Sequence, residues 1–155
     1  MKEYLLNFFE FNDWAFQRVL GAIAQLPDKE ESIQLLSHTI MASNRWYNRV
    51  SKEVDDSQLK WSGDTLPFDQ LESIWSELLQ KWMKLLEKND ESFLDGNVEF
   101  VRPKDGKKMS VKILDVILQI NYHSIHHRAQ ILRIIRQQGQ TPPTTDYIAT
   151  AMKEI

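Results

Sequence analysis

The sequence predicts an all-α protein, a four-helix bundle with one short β-hairpin between the third and fourth helices. Three observations lead there. Four long stretches repeat apolar residues at helical spacing, Pro27 and Gly139 break that spacing between and after them, and only one short segment alternates apolar with polar residues. Bundles of this kind bury an apolar side of every helix and build ligand or metal sites between facing helices.

The elements follow in order. Residues 3 to 26 carry Leu5, Phe8, Phe9, Trp14, Phe16, Val19, Leu20 and Ile23 at helical spacing and stop at Pro27, which a helix interior excludes. Asp28 offers an N-cap with Glu31 three residues later, a capping-box pattern that opens a second helix to about Ser51. Residues 52 to 66 are polar and read as a loop. A long amphipathic helix follows from "PFDQLESIW" to "EKND", with Leu71, Ile74, Trp75, Leu78, Leu79, Trp82 and Leu86 on its buried side. "NVEFVRPKDGKKMSV" alternates around an Asp-Gly pair and predicts a hairpin tip. Ser110 is read as the N-cap of the fourth helix, which runs to a stop at Gly139. "TPPTTDYIATAMKEI" closes the chain with a proline-marked turn and a short helix.

At 155 residues the chain predicts one domain, 1–155, with a normal globular balance of 26% charged and 42% hydrophobic residues. A net charge of -3 gives nucleic acid or an anionic membrane no electrostatic reason to bind. No apolar run reaches membrane-spanning length, and the N-terminus lacks the apolar core and cleavage site of a signal peptide. A cytoplasmic protein is therefore expected. With no cysteine, disulfides, thiolate ligands and a cysteine nucleophile are excluded.

Three of the four histidines fall in "NYHSIHHRAQILR". On a wheel of about 100° per residue starting at Leu114, Leu118, Ile125 and Leu132 form one apolar face. Val116, Ile120, Ile131 and Ile134 form a second near 200–260°. His123 and His127 fall on this second face, at about 180° and 220°, whereas His126 falls near 120° among polar residues. Two histidines four apart on one side of a helix can converge on an ion. They can also be core histidines with polar partners, and on these two residues alone that plainer reading is preferred. The remaining His38 stands at the margin of an apolar face, beside Leu35 and Ala42 but also Gln34 and Arg45. Arg128 falls near the Leu114 face with Asn121, so its guanidinium needs a buried acceptor or a partner subunit. Gln130 lies beside the His123 direction and can orient a ligand or a substrate. Trp14, Trp46 and Tyr47 read either as pocket lining or, preferably, as core. "KDGKK" and the charged positions of residues 77 to 91 read as solvated surface.

The segment "HSIHHRAQILRIIRQQGQTPPTTD" resembles the fourth-helix signature of the DinB/YfiT-like superfamily. "FNDWAFQRVLGAIAQLP" and "LLSHTIMASNRWYNRV" are similar to that family's first and second helices. The resemblance spans nearly the whole chain in the family's order. It implies a four-helix bundle, often homodimeric, holding a divalent metal such as zinc or nickel through His38, His123 and His127, with His126 left out. Related members include metal-dependent thiol transferases and a thiol-dependent isomerase, so a small-molecule substrate and an external low-molecular-weight thiol are implied too. The sequence departs from the pattern at Ala129, where glycine is usual, and at Tyr122, where asparagine is frequent. Neither departure removes a ligand. Three neutral imidazoles would leave a divalent charge uncompensated and favour an anionic fourth ligand. No general base stands out. A hydrolase or thiol S-transferase is the expectation, and a non-catalytic, stress-related metal-binding or interaction protein is the alternative.

Overall fold

The computed structural model describes residues 1–54 and 65–153, so most of the loop read at 52 to 66 lies outside the described residues. Helices α1 (Lys2–Ile23), α2 (Glu30–Ser51), α3 (Leu71–Lys88) and α4 (Ile113–Gln137) form the expected four-helix bundle. Strands β1 (Asn97–Val101) and β2 (Lys108–Lys112) form the antiparallel hairpin between α3 and α4, and α5 (Ile148–Ala151) is a single turn near the C-terminus. Both α3 and α4 pack against α1 and α2. The core between them is centred on Leu5, Ile23, Ile40, Leu71, Trp82, Leu86, Ile117, Ile131 and Ile135, each with under 2% of its surface exposed. No helix among the described residues is long and apolar enough to cross a membrane.

Several ends differ from the sequence expectation for local reasons. The N-cap of α2 is Lys29, with no side-chain cap bond, and the capping box with Glu31 does not form; one residue earlier, Asp28 accepts from the Glu30 amide at 3.0 Å. Its amide donates instead to Gln138 Oε1 at 3.0 Å, and Gln138 Nε2 returns a bond to the Asp28 carbonyl at 2.8 Å. A side chain from the far end of α4 has taken the role expected of a local glutamate. Ser110 is not a helix cap. It lies inside β2, paired with Glu99, and the ladder carries on to Lys112, whose extended backbone precedes the helix. A serine in an alternating segment joins the ladder because strand pairing satisfies its backbone on the spot. The hairpin closes through Arg102 and Lys107, whose amide–carbonyl bond spans 2.8 Å. Gly106 adopts φ 68° at the tip, and Arg102 clasps Asp105 with two side-chain bonds of 2.9 and 2.6 Å.

The C-terminus of α4 ends as read. Gly139 has φ 80°, its amide bonds to the Arg136 carbonyl, and the Gln140 amide reaches back to Ile135. This is the paired 5→2 and 6→1 closure of a Schellman motif, which demands a left-handed residue at this position.

The two apolar faces inferred for α4 merge into one wide face. Ile113, Val116, Ile117, Ile120, Asn121, Arg128, Ile131, Ile134 and Ile135 are buried, while Leu114, Leu118, Ile125 and Leu132 are only half-buried at its edge. Arg128 therefore stands within the buried stripe, and His123 and His127 stand half-buried on its opposite margin.

Candidate metal centre

Two helices supply the site. On α2, buried Ser37 and Thr39 flank His38, which leaves His38 exposed at the rim. On α4, His123 and His127 sit one turn apart and half-buried. The rings of His38, 85 positions away in the chain, and His123 bring their Nε2 atoms to 3.1 Å. The ring centres of His123 and His127 are 4.4 Å apart, and those of His38 and His127 4.8 Å. One ligand atom from each of the three histidines lies within 4.8 Å of the other two.

This donor set fits a divalent ion. Two imidazole nitrogens each about 2.0–2.1 Å from one tetrahedral zinc stand about 3.3 Å apart. The His38–His123 spacing suits that arrangement, and suits an imidazole–imidazole hydrogen bond as well. His127 Nδ1 is already engaged with Gln130 Oε1 at 2.7 Å, which places its proton on Nδ1 and leaves Nε2 with a lone pair able to take an ion. Gln130 is read as orienting a ligand or a substrate, and the structure places its side-chain carbonyl on His127. Its amide nitrogen lies 3.3 Å from His126 Nε2, and exposed His126 stays outside the three-histidine cluster.

The electrostatics favour neutral rings at two of these positions. Burial first, and then the neighbouring His127, His38 and His126, hold His123 down at about 4. His38 is also lowered, by burial and then by His127 and Arg45. Neutral imidazole is the form that ligates.

Beneath the histidines runs a buried polar chain. Arg128 Nη1 donates to Asn12 Oδ1 at 2.9 Å, Asn12 Nδ2 to Asn121 Oδ1 at 2.7 Å, and Asn121 Nδ2 to the Ile117 carbonyl at 2.8 Å. The acceptor that Arg128 needs is thus Asn12, within the same chain. The guanidinium also lies 4.9 Å from the centre of the Phe11 ring. Burial lowers Arg128 to about 10, opposed by Asp146, so it remains a cation at neutral pH. Asn12 was missed as a site residue. The signal was present: it stands four residues from both Phe8 and Phe16, a polar side chain on the apolar stripe of α1.

The aromatic candidates belong to packing. Tyr47 is buried, its ring centre 5.4 Å from that of Trp82, and its hydroxyl bonds to Glu53. Trp46 meets Phe100 of the hairpin, and Trp14 stacks on Phe11 under Arg18.

Bundle and cluster together define a helical protein with a three-histidine site able to hold a divalent ion. The model of the DinB family matches residues 1–154, and the chain belongs to that family. It is similar to Protein DinB of Bacillus subtilis (strain 168), with 23% identity over 163 residues covering 95% of this chain and 93% of that protein. No solved structure matches it.

Proposed function

We propose that the chain is a divalent-metal-dependent enzyme of the hydrolase or thiol S-transferase type, with His38, His123 and His127 as the ligands. The convergence of these three rings from two helices carries the reading. Zinc or nickel suits three imidazole donors. When bound, such an ion acts as a Lewis acid toward an oxygen or sulfur nucleophile. The protein's part is to hold His127 in one tautomer through Gln130, to keep His123 neutral by burial, and to leave the His38 side of the site reachable from solvent. Because the chain has no cysteine, a thiol nucleophile has to come from an external low-molecular-weight thiol. Family kinship supports a small-molecule substrate, a homodimer and a cytoplasmic setting as parts of the same proposal.

The competing reading is a non-catalytic, stress-related metal-binding or interaction protein. It draws on the composition of the cluster, which among the described residues contains histidine alone and no carboxylate to serve as a base. Elemental analysis of untagged protein tests the ligand set. Wild type and His126→Ala are expected to hold stoichiometric divalent metal, and His38→Ala, His123→Ala and His127→Ala to lose it. Unchanged metal content in any of the last three refutes the three-ligand site. Loss of ester or thiol turnover on chelation, with the fold retained, separates enzyme from binder.

A further inference from the structure

We infer that Arg128, held by Asn12, forms a carboxylate-recognition subsite inside the bundle, so that the substrate of the centre is a small molecule bearing a carboxylate. The substrate assignment rests on the metal-enzyme reading above, whereas the subsite itself requires no metal.

A cavity of about 20 Å³ lies between the helices, lined by Asn12, Phe16, Leu36, Thr39, Ser124 and Arg128 among others. Thr39, Ser124 and Arg128 directly follow His38, His123 and His127 in the chain, so each histidine of the cluster has its neighbour on the cavity wall. The cavity wall and the cluster are thus built from neighbouring positions of the same two helices.

The charge on that wall is unbalanced. Arg128 is only 7% exposed, yet no carboxylate among the described residues lies within ion-pair distance of it, and Asp146 acts on it only through space. A guanidinium carries five N–H donors, and the side-chain bond it makes among the described residues is the one from Nη1 to Asn12. A buried cation with spare donors calls for an anion. The other polar groups on the wall do not compete for that role as donors. Thr39 Oγ1 donates to the Leu35 carbonyl, Ser124 Oγ to the Ile120 carbonyl, and Asn12 Nδ2 to Asn121. Phe16, Val19, Leu36 and Trp75 make the rest of the wall apolar, which strengthens a charge–charge contact there.

Shape selects among anions. The cavity has the room of one or two waters, so a small, flat anionic head fits it better than a bulkier tetrahedral one. A carboxylate also matches the planar fork of a guanidinium in a bidentate contact. The body of the ligand would then extend toward the histidines, with its reacting atom near the ion.

The test uses chelated, metal-free wild-type protein and acetate as the probe, followed through the Arg128 Nε–Hε resonance assigned by through-bond transfer within the residue. A saturable acetate-dependent shift, weaker with inorganic phosphate and absent with chloride at matched ionic strength, is expected. Arg128→Gln should lower acetate affinity at least tenfold. An Arg128 resonance that acetate leaves in place, or moves no more than chloride does, overturns the subsite even if Arg128→Gln fails to fold. Metal content, measured separately, keeps the two ideas apart. Protein that binds acetate but no metal retains the subsite and loses the metal enzyme. Protein that binds metal but ignores acetate loses the subsite alone.

Discussion

Gln130→Ala tests how the site is organised without touching a ligand. The 2.7 Å bond from His127 Nδ1 to Gln130 Oε1 sets both the tautomer and the ring orientation. Removing such a partner costs roughly 10–100-fold in metal affinity. Gln130 is exposed, so water can replace its carbonyl at Nδ1, which points to the low end of that range. The expectation is about tenfold weaker binding, or about 1.4 kcal/mol. Gln130→Glu keeps an acceptor and adds negative charge, so its affinity should equal or exceed that of wild type. His126→Ala removes the 3.3 Å contact on the amide side of Gln130 and an edge-on ring contact with His127, centres 5.0 Å apart, and should change affinity less than threefold. Competition against a chromophoric chelator, on untagged protein, reads all three. Folding stability should stay within about 0.5 kcal/mol of wild type in each, because the altered groups are on the surface. If Gln130→Ala binds metal within twofold of wild type, His127 is not a ligand through Nε2 and the assigned geometry is wrong.

Two further outcomes follow from the burial of specific groups. His123 is held at about 4 against an ordinary 6.5, so between these values the unfolded chain takes up a proton that the folded chain refuses. Stability of the chelated protein should therefore be fully present above pH 6.5 and fall as pH drops toward 4. About 1 kcal/mol of that loss should vanish in His123→Gln, a figure well below the full shift because the ring is part-exposed. Thermal melts across pH 4–7 check it, and identical slopes for the two proteins would refute it. Ile117 has no exposed surface in the second turn of α4, and Ile117→Ala should cost about 2–5 kcal/mol in denaturant unfolding. A cost under 1 kcal/mol would place that residue outside the core.

Periodicity made the helices legible because a bundle repeats its apolar residues at the helical period, and Gly139 was legible because its backbone conformation admits little else. What stayed hidden was settled by distant partners. Gln138 supersedes Glu31 at Asp28 from 110 residues away, and Asn12 answers the need of Arg128 from 116 residues away. Ser110 was misread because a helix-capping residue and a strand residue can share one local pattern, and pairing with Glu99 decided between them. His38 had an ambiguous wheel position for a physical reason. A histidine at the rim of an open cluster belongs neither to the core nor to the free surface, so burial preference says nothing about it.

The same one-residue logic explains how a single turn of α4 serves two compartments. His123 and His127 face the rim, while Ser124 and Arg128, each one residue on and about 100° around the helix, face the interior cavity. A slip of α4 by one residue would exchange a ligand for a cavity wall, so the site depends on the register of the helix as much as on its residues. That register is held at both ends. The Ile113 amide bonds to the Gly96 carbonyl at 2.9 Å, where a side chain on Gly96 would crowd Phe93 and Ile113. At the other end the reciprocal Asp28–Gln138 bonds tie α4 to the turn before α2, the helix that carries His38. Positions far from any histidine thereby control whether His38 and the α4 pair meet.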